Sequence, residues 1–309
     1  MADRPPLIVV AGPTATGKTE LGIRLAEALI GEGRPATVIS ADSRQVYRGL
    51  DIGTAKVTTA DRARVPHAGL DLVDPDERFA LSDFVMHATG VLEDLARRDG
   101  IALLVGGTGL YLRAVARGLD LGALPDDPSV RARLEAEFAA EGLEPLARRL
   151  ESTAPTLAAE IHLANPRRVI RALEIAELRG DGPRPVPRGY EGPVTWIGLD
   201  IDRDEHARRI AARARAQFDA GLIDEAVALR ARFDPTLPAF SAIGYREAWA
   251  VADGELTQEG AIEQDARRNV AFAKRQRTWF RSETDIDWLD VTTADPFERS
   301  VALARSVVD

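Results

Sequence analysis

The sequence predicts an α/β protein, a parallel sheet flanked by helices and built around a phosphate-binding loop (a P-loop), interrupted by an all-helical insertion. Three observations lead there. The apolar run Leu7-Ile8-Val9-Val10-Ala11 feeds directly into Gly12-Pro13-Thr14-Ala15-Thr16-Gly17-Lys18-Thr19 and then into the helical stretch 21–29. Apolar strand-like runs then alternate with helical periodicity, as a parallel sheet requires. Between residues 120 and 181 the pattern changes, with helical stretches and no convincing strand.

The loop has a mechanism. Its glycines let successive backbone N–H groups curl round a phosphate, and the following helix adds its positive end. Lys18 is placed to reach the outer phosphate and the Thr19 hydroxyl to hold Mg2+. Of forty basic residues only Lys18, Lys56 and Lys274 are lysines. A chain that otherwise uses arginine keeps here the compact ammonium that a phosphate loop uses.

Residues 36–40 form a second β-prone run, ending at Ala41-Asp42-Ser43-Arg44-Gln45. A third strand is expected over 69–73, stopped by Asp74-Pro75. Ser82 is the expected N-cap of a helix to about Arg98, with Phe84, Val85, Ala88, Val91, Leu92 and Leu95 at helical spacing. The apolar run 101–105, closed by Gly106-Gly107-Thr108-Gly109, reads as a central parallel strand. In the insertion, helices are expected over 129–140, 143–150 and 166–178. The Pro- and Gly-rich 180–189 is a connector, and 194–199 returns to the sheet. Helices over 204–220, 223–231, 241–252 and 258–282 complete the pattern. The division expected is a core of residues 1–119 and 193–309 with an insertion of 120–192.

Length and composition bound the rest. At 309 residues and 45% hydrophobic the chain can bury a large core. No apolar run approaches the roughly eighteen residues of a membrane span, and Met1–Pro6 lacks the pattern of a signal peptide. The absence of cysteine excludes disulfides, thiolate metal sites and a cysteine nucleophile. The expectation is a soluble, cytoplasmic monomer. A net charge of −9 argues against indiscriminate nucleic-acid binding but not against a local basic patch.

In a parallel sheet the strand C-termini share one rim, which brings Asp42, Asp74 and Thr108 toward Lys18. Asp42 there could serve as a general base or simply start a turn. The run 106–111 could be a bland strand-to-helix turn or part of the site. It offers no aspartate after the strand to anchor Mg2+, which weakens a plain ATPase reading. Arg213 could face inward to clamp phosphate. Within 263–281, Arg267, Arg268, Lys274, Arg275, Arg277 and Arg281 are interleaved with Phe272, Trp279 and Phe280. This composition suits single-stranded RNA or flipped bases, the alternative being a solvated helix whose aromatics face the core. Arg167, Arg168 and Arg171 make a second patch in the insertion, so one curved polyanion between two lobes is expected. His67, His87, His162 and His206 are scattered and read as structural.

Together, Gly12–Thr19, Ser40–Tyr47, Gly49–Lys56 (GLDIGTAK), Leu104–Tyr111 (LVGGTGLY), Asn165–Glu174, Ser241–Arg246 (SAIGYR) and Lys274–Arg281 resemble the bacterial tRNA dimethylallyltransferases (tRNA isopentenyltransferases), in order over nearly the whole chain. The resemblance implies a core that binds dimethylallyl diphosphate and an insertion that closes over the tRNA anticodon stem-loop. It implies transfer of the prenyl group to N6 of the adenosine 3′ to the anticodon. It assigns Gly12, Pro13, Thr14, Ala15, Thr16, Gly17, Lys18 and Thr19 to the diphosphate, with Arg213 beside them, Thr19 to Mg2+, and Asp42 to the base. Thr108 and Arg131 position substrate. It assigns tRNA contact to Asp42, Ser43, Arg44, Gln45, Thr108 and Arg131. Further tRNA contacts are Arg167, Arg168, Val169, Ile170 and Arg171, then Ser241, Ala242, Ile243, Gly244, Tyr245 and Arg246, and finally Lys274, Arg275, Gln276, Arg277, Thr278, Trp279, Phe280 and Arg281. Thr16 replaces the family's usual Ser, and Gln217 a common Met. A small-molecule kinase using ATP at the same loop, with 120–192 as lid, is the rival reading, and it leaves the basic helix without a use.

Overall fold

A computed structural model describes residues 4–121 and 124–308; Met1–Asp3, part of the stretch read for a signal segment, and Gly122 and Ala123 of the insertion lie outside the described residues. Chain contacts divide it into two units, Met1–Arg117 with Tyr190–Asp309, and Gly118–Gly189. Each boundary falls two to three residues from its expected position.

In the first unit, β1 (Leu7–Ala11) leads through the glycine loop into α1 (Lys18–Gly31), followed by β2 (Ala36–Ser40), the short α2 (Thr59–Arg64) and β3 (His67–Ala68). Then come α3 (Leu81–Arg97), β4 (Ile101–Gly106) and α4 (Gly109–Ala116). The second unit contains α5 (Pro128–Glu141), α6 (Leu143–Thr153), α7 (Pro155–Ala159) and α8 (Pro166–Arg179). The chain returns through β5 (Val194–Asp200), α9 (Arg203–Asp219), α10 (Leu222–Arg230), a 3-10 turn (Pro238–Ser241), α11 (Tyr245–Ala252), α12 (Gln258–Phe280), β6 (Asp287–Asp290) and α13 (Phe297–Val308).

All pairings are parallel, in the order β3-β2-β4-β1-β5-β6. Alternate strand residues feed two cores, as the period of two demands. Leu7, Val9, Ile39, Ala102, Leu104 and Trp196 pack with α3, α4 and α9 to α12 on one face. Ile8, Val10, Val38, Leu103 and Ile197 pack with α1 and α13 on the other. A third core, around Leu134, Leu150, Val169 and Leu173, is confined to the insertion. Because both faces are covered, the central strands read as continuous apolar runs rather than alternating ones.

Three local expectations need correction. The third strand is only two residues, because Asp71 sits in the left-handed region at φ 54° and Leu72 and Val73 bond back to the Val46 carbonyl, bending 69–73 away from the sheet. α3 begins two residues earlier than a Ser82 cap predicts, its first turn closed by the Asp83 carboxylate on the Ala80 N–H at 2.7 Å. The helix expected over 241–252 is broken, since Ala242 is extended and Gly244 has φ 107°. The edge strand β6 and α13 were not expected at all.

Candidate active site

Three turns meet at the C-terminal ends of β1, β2 and β4. The Thr108 hydroxyl accepts from the Ser43 N–H at 3.1 Å, and the Thr108 N–H donates to the Ala41 carbonyl at 3.2 Å, which ties the turn after β4 to the turn after β2. The glycines after β4 are there for close approach. A Cβ at Gly107 would lie 2.3 Å from the Gln276 amide, and one at Gly109 would lie 2.2 Å from the Trp279 ring. α12 therefore packs onto the rim, and Gln276 bridges the two loops. Its Oε1 accepts from the Thr14 N–H and its Nε2 donates to the Gly107 carbonyl, each at 2.9 Å.

Lys18 opens α1 behind Gly17. Its ammonium donates to the Pro13 carbonyl, inside the loop. Lys18 is half-buried as a residue. Loss of solvent round the ammonium, reinforced by Arg213 and opposed by Asp42, lowers its pKa from 10.5 to about 7. The site is thus short of negative charge, the state expected of a cradle built for a polyanion. Arg213, on the inner face of α9, donates from Nη1 to the Thr14 hydroxyl at 2.7 Å. Burial depresses its pKa, against the pull of Asp42 and Asp265.

Asp42 lies one residue past the second strand's Ala41 and is partly buried. Its Oδ1 accepts from the Arg44 N–H at 2.8 Å, the local bond of an Asx-turn. The side chain shapes the turn with one oxygen and exerts its charge on Lys18 and Arg213. Ser43 and Arg44 flank it, and the Arg44 guanidinium is bound to the Pro238 carbonyl at 2.8 Å. Gln45 is committed to the scaffold, accepting from the Ser40 hydroxyl at 2.8 Å and donating to the Thr54 and Ala55 carbonyls.

On α12 the basic residues sort by face. Lys274, Arg275, Thr278 and Arg281 are exposed, and Lys274 and Arg281 have no ion pair among the described residues. Arg277 is committed inward, paired with Asp200 at 3.3 Å and bonded to the Ile201 carbonyl at 2.9 Å. Arg268 pairs with the buried Glu247. The aromatics do not form a stacking platform. Phe280 is wholly buried, and Trp279 lies against Gly109 with the Arg113 guanidinium 4.5 Å over its ring.

In the SAIGYR segment, Ser241 and Arg246 are exposed, Ile243 is intermediate, and Ala242, Gly244 and Tyr245 are buried. The Tyr245 hydroxyl donates at 2.7 Å to Glu225, a residue with no sequence signal, whose carboxylate also accepts the N–H groups of Asp51, Ile52 and Gly53. Lys56 anchors the same loop, bridging Asp51 and Asp71 at 2.6 Å each.

Within the insertion, Arg167 and Arg168 are exposed at the start of α8 and border a cleft of about 800 Å3 with Glu135, Phe138 and His162. Arg131 and Arg171 instead hold the buried Glu174, at 2.6 and 2.7 Å, and Val169 and Ile170 are in the core. Among the described residues no cluster of three or more His, Asp or Glu side chains could hold a metal ion. The Thr19 hydroxyl is exposed at the loop and suits a Mg2+ carried chiefly by diphosphate oxygens, since Mg2+ keeps few protein ligands in such sites.

The chain matches the IPP transferase family model over residues 45–283. It is 42% identical to the tRNA dimethylallyltransferase of Roseiflexus castenholzii, over 98% of this chain and 99% of that protein. The crystal structure of the tRNA isopentenylpyrophosphate transferase from Bacillus halodurans superposes with a TM-score of 0.71 at 39% identity, covering 98% of this chain and 96% of that one. A eukaryotic dimethylallyltransferase solved acting on tRNA shares the fold at 22% identity, with a TM-score of 0.78 over 98% and 79% of the two chains. A glycine loop with its lysine, an inward arginine and a carboxylate on one rim is thus found in a chain that belongs to the IPP transferase family, the family of its tRNA dimethylallyltransferase relatives.

Proposed function

We propose that the protein transfers a dimethylallyl group from dimethylallyl diphosphate to the N6 amine of the adenosine 3′ to the anticodon of tRNA, releasing diphosphate. The observation that carries this reading is the electrostatic triad of Lys18, Arg213 and Asp42, two enclosed cations and a carboxylate close enough to shift the cations' pKa values. The C1–O bond of the prenyl diphosphate breaks as the N6–C1 bond forms. Negative charge grows on the departing diphosphate, where Lys18, Arg213 and the loop N–H groups stabilise it. The exocyclic amine is a poor nucleophile, and Asp42 takes its proton as the new bond forms. Thr108, bonded to the turn that carries Asp42, positions the base. Mg2+ held by Thr19 would neutralise part of the diphosphate charge.

The adenine must leave its stack to reach this rim. Each unit taken by itself offers exposed cations to RNA phosphates, Lys274, Arg275, Arg281 and Arg246 on the core and Arg167 and Arg168 on the insertion. Arg131 and Arg171 support that surface through Glu174. We take the protein to act as a cytoplasmic monomer; no described helix is long and apolar enough to cross a membrane.

The test supplies an anticodon stem-loop with labelled dimethylallyl diphosphate or labelled ATP. Label should reach the RNA only from the first. Phosphate transferred from ATP to any acceptor, with no prenylated RNA, would overturn the reading.

A further inference from the structure

His206 is the one histidine that touches the glycine loop. It lies near the start of α9, 4% exposed, with Nε2 2.7 Å from the Thr14 carbonyl. A carbonyl only accepts, so Nε2 carries the proton, and Nδ1 turns its lone pair toward the Arg277 guanidinium at 3.4 Å. The charged groups facing the ring are Arg277, Lys18 and Asp200. Burial, with Arg277 and Lys18, lowers the imidazole pKa and favours this neutral form, against the Thr14 bond and Asp200.

The consequence lies one atom further along the chain. The Thr14 carbonyl and the Ala15 N–H belong to one planar trans peptide and point in opposite directions. Holding the carbonyl on the α9 side therefore aims the Ala15 N–H the other way, and that N–H has no acceptor among the described residues. The orientation is not one the loop prefers, because Ala15 has φ 59°, a left-handed conformation costly for an L-residue with a side chain. Rotating the peptide would relieve Ala15 and turn its N–H away. Gln276 and Arg213 hold the N–H and the hydroxyl of Thr14, but among the described residues only His206 holds its carbonyl.

We propose that His206 is a positioning residue for the diphosphate, its Nε2–H bond to the Thr14 carbonyl holding the Thr14–Ala15 peptide in the strained orientation that presents the Ala15 N–H to a phosphate oxygen. This rests on the loop being the diphosphate site. Losing one such bond weakens binding about two- to tenfold.

The test measures binding of inorganic diphosphate and of dimethylallyl diphosphate by calorimetry, and in parallel the KM of each substrate. His206→Leu should weaken both ligands about fivefold and raise the prenyl-donor KM similarly. The Kd for tRNA should stay unchanged. His206→Gln, whose amide N–H replaces Nε2–H, should return binding to within about twofold of wild type. Adding Ala15→Gly to His206→Leu should also recover binding, since glycine adopts the same φ without strain. Unchanged diphosphate binding in His206→Leu, or no recovery in either rescue variant, would overturn the proposal. Wild-type protein that binds inorganic diphosphate but transfers no prenyl group would instead overturn the proposed reaction and leave the role of His206 readable from binding alone.

Discussion

The glycine loop and the solvent face of α12 are both charged and close in the fold, yet they are built in opposite ways. At the loop, each polar group of Thr14 is bound, its N–H by Gln276, its hydroxyl by Arg213 and its carbonyl by His206. On α12, Lys274 and Arg281 project without an ion pair among the described residues, and Arg275 has only the Phe272 ring, 5.7 Å away. A site that stabilises charge developing in a transition state must have its donors in place beforehand, because reorganising them would consume the gain. A surface that captures a long polyanion needs only charge, which mobile side chains supply through counterion release.

The contrast makes its largest prediction at the loop. Lys18→Ala and Arg213→Ala should each lower kcat for prenyl transfer about a hundredfold or more while tRNA affinity stays near wild type. Loss of tRNA binding with normal turnover at saturation would reverse the assignment of the two regions.

Asp42 sharpens the comparison, since it serves both local geometry and charge. Asp42→Asn keeps an oxygen that can accept from the Arg44 N–H but cannot take a proton, so the turn should survive and single-turnover transfer should fall about a hundredfold or more. Activity within a few-fold of wild type would leave Asp42 a turn residue only.

On α12, replacing Lys274, Arg275 and Arg281 together by alanine should weaken stem-loop binding and flatten its dependence on salt, the logarithmic slope shrinking by about 0.7 for each RNA phosphate no longer neutralised. An unchanged slope would place the RNA elsewhere. Phe280→Ala, by contrast, should cost about 3–5 kcal/mol of stability, because that ring is wholly buried.

The smallest effect concerns Asp265, buried behind Arg213 and bonded to Asn269 at 2.7 Å. Burial raises its pKa from 3.8 to about 6, with Asn269 opposing and Glu247 reinforcing. A carboxyl raised on folding stabilises fully below its unfolded pKa and loses that contribution as pH rises through the folded value. The contribution of Asp265 to stability should therefore fall between about pH 4 and 6. Asp265→Asn should remove that slope and stabilise the protein by about 1–3 kcal/mol at pH 8. A denaturation midpoint equally pH-dependent in the variant would rule this out.

How much of this was legible follows from where each signal resides. β1 and β4 are apolar runs that end at glycine, and β2 is a short β-prone run, so the centre of the sheet and its loop could be read directly. β6 is a four-residue edge strand, Asp287-Trp288-Leu289-Asp290, created by pairing with β5, and it has no periodicity of its own. The inward direction of Arg213 could not be read from its helix, whereas Lys18 and Asp42 stand in recognisable segments. His206 does not, because the atom that defines it is 192 residues away. Composition likewise could not separate Arg277 from Arg281, nor Arg131 from Arg167. Only the buried carboxylate or carbonyl that captures one of each pair distinguishes them. The aromatics on α12 were legible as aromatics, and their inward direction was set by glycines on another turn.

The scarcity of lysine also shapes how this protein meets amine-reactive chemistry. With three lysines, the side-chain amines occupy sharply different surroundings. Lys56 is sealed between two aspartates. Lys274 stands in open solvent on α12. Lys18, with its pKa near 7, presents mostly a free amine in mildly alkaline solution. An acylating reagent small enough to enter the loop therefore finds an unprotonated nucleophile there, and a bound diphosphate would shield it. The composition thus makes Lys18 a built-in covalent reporter of loop occupancy.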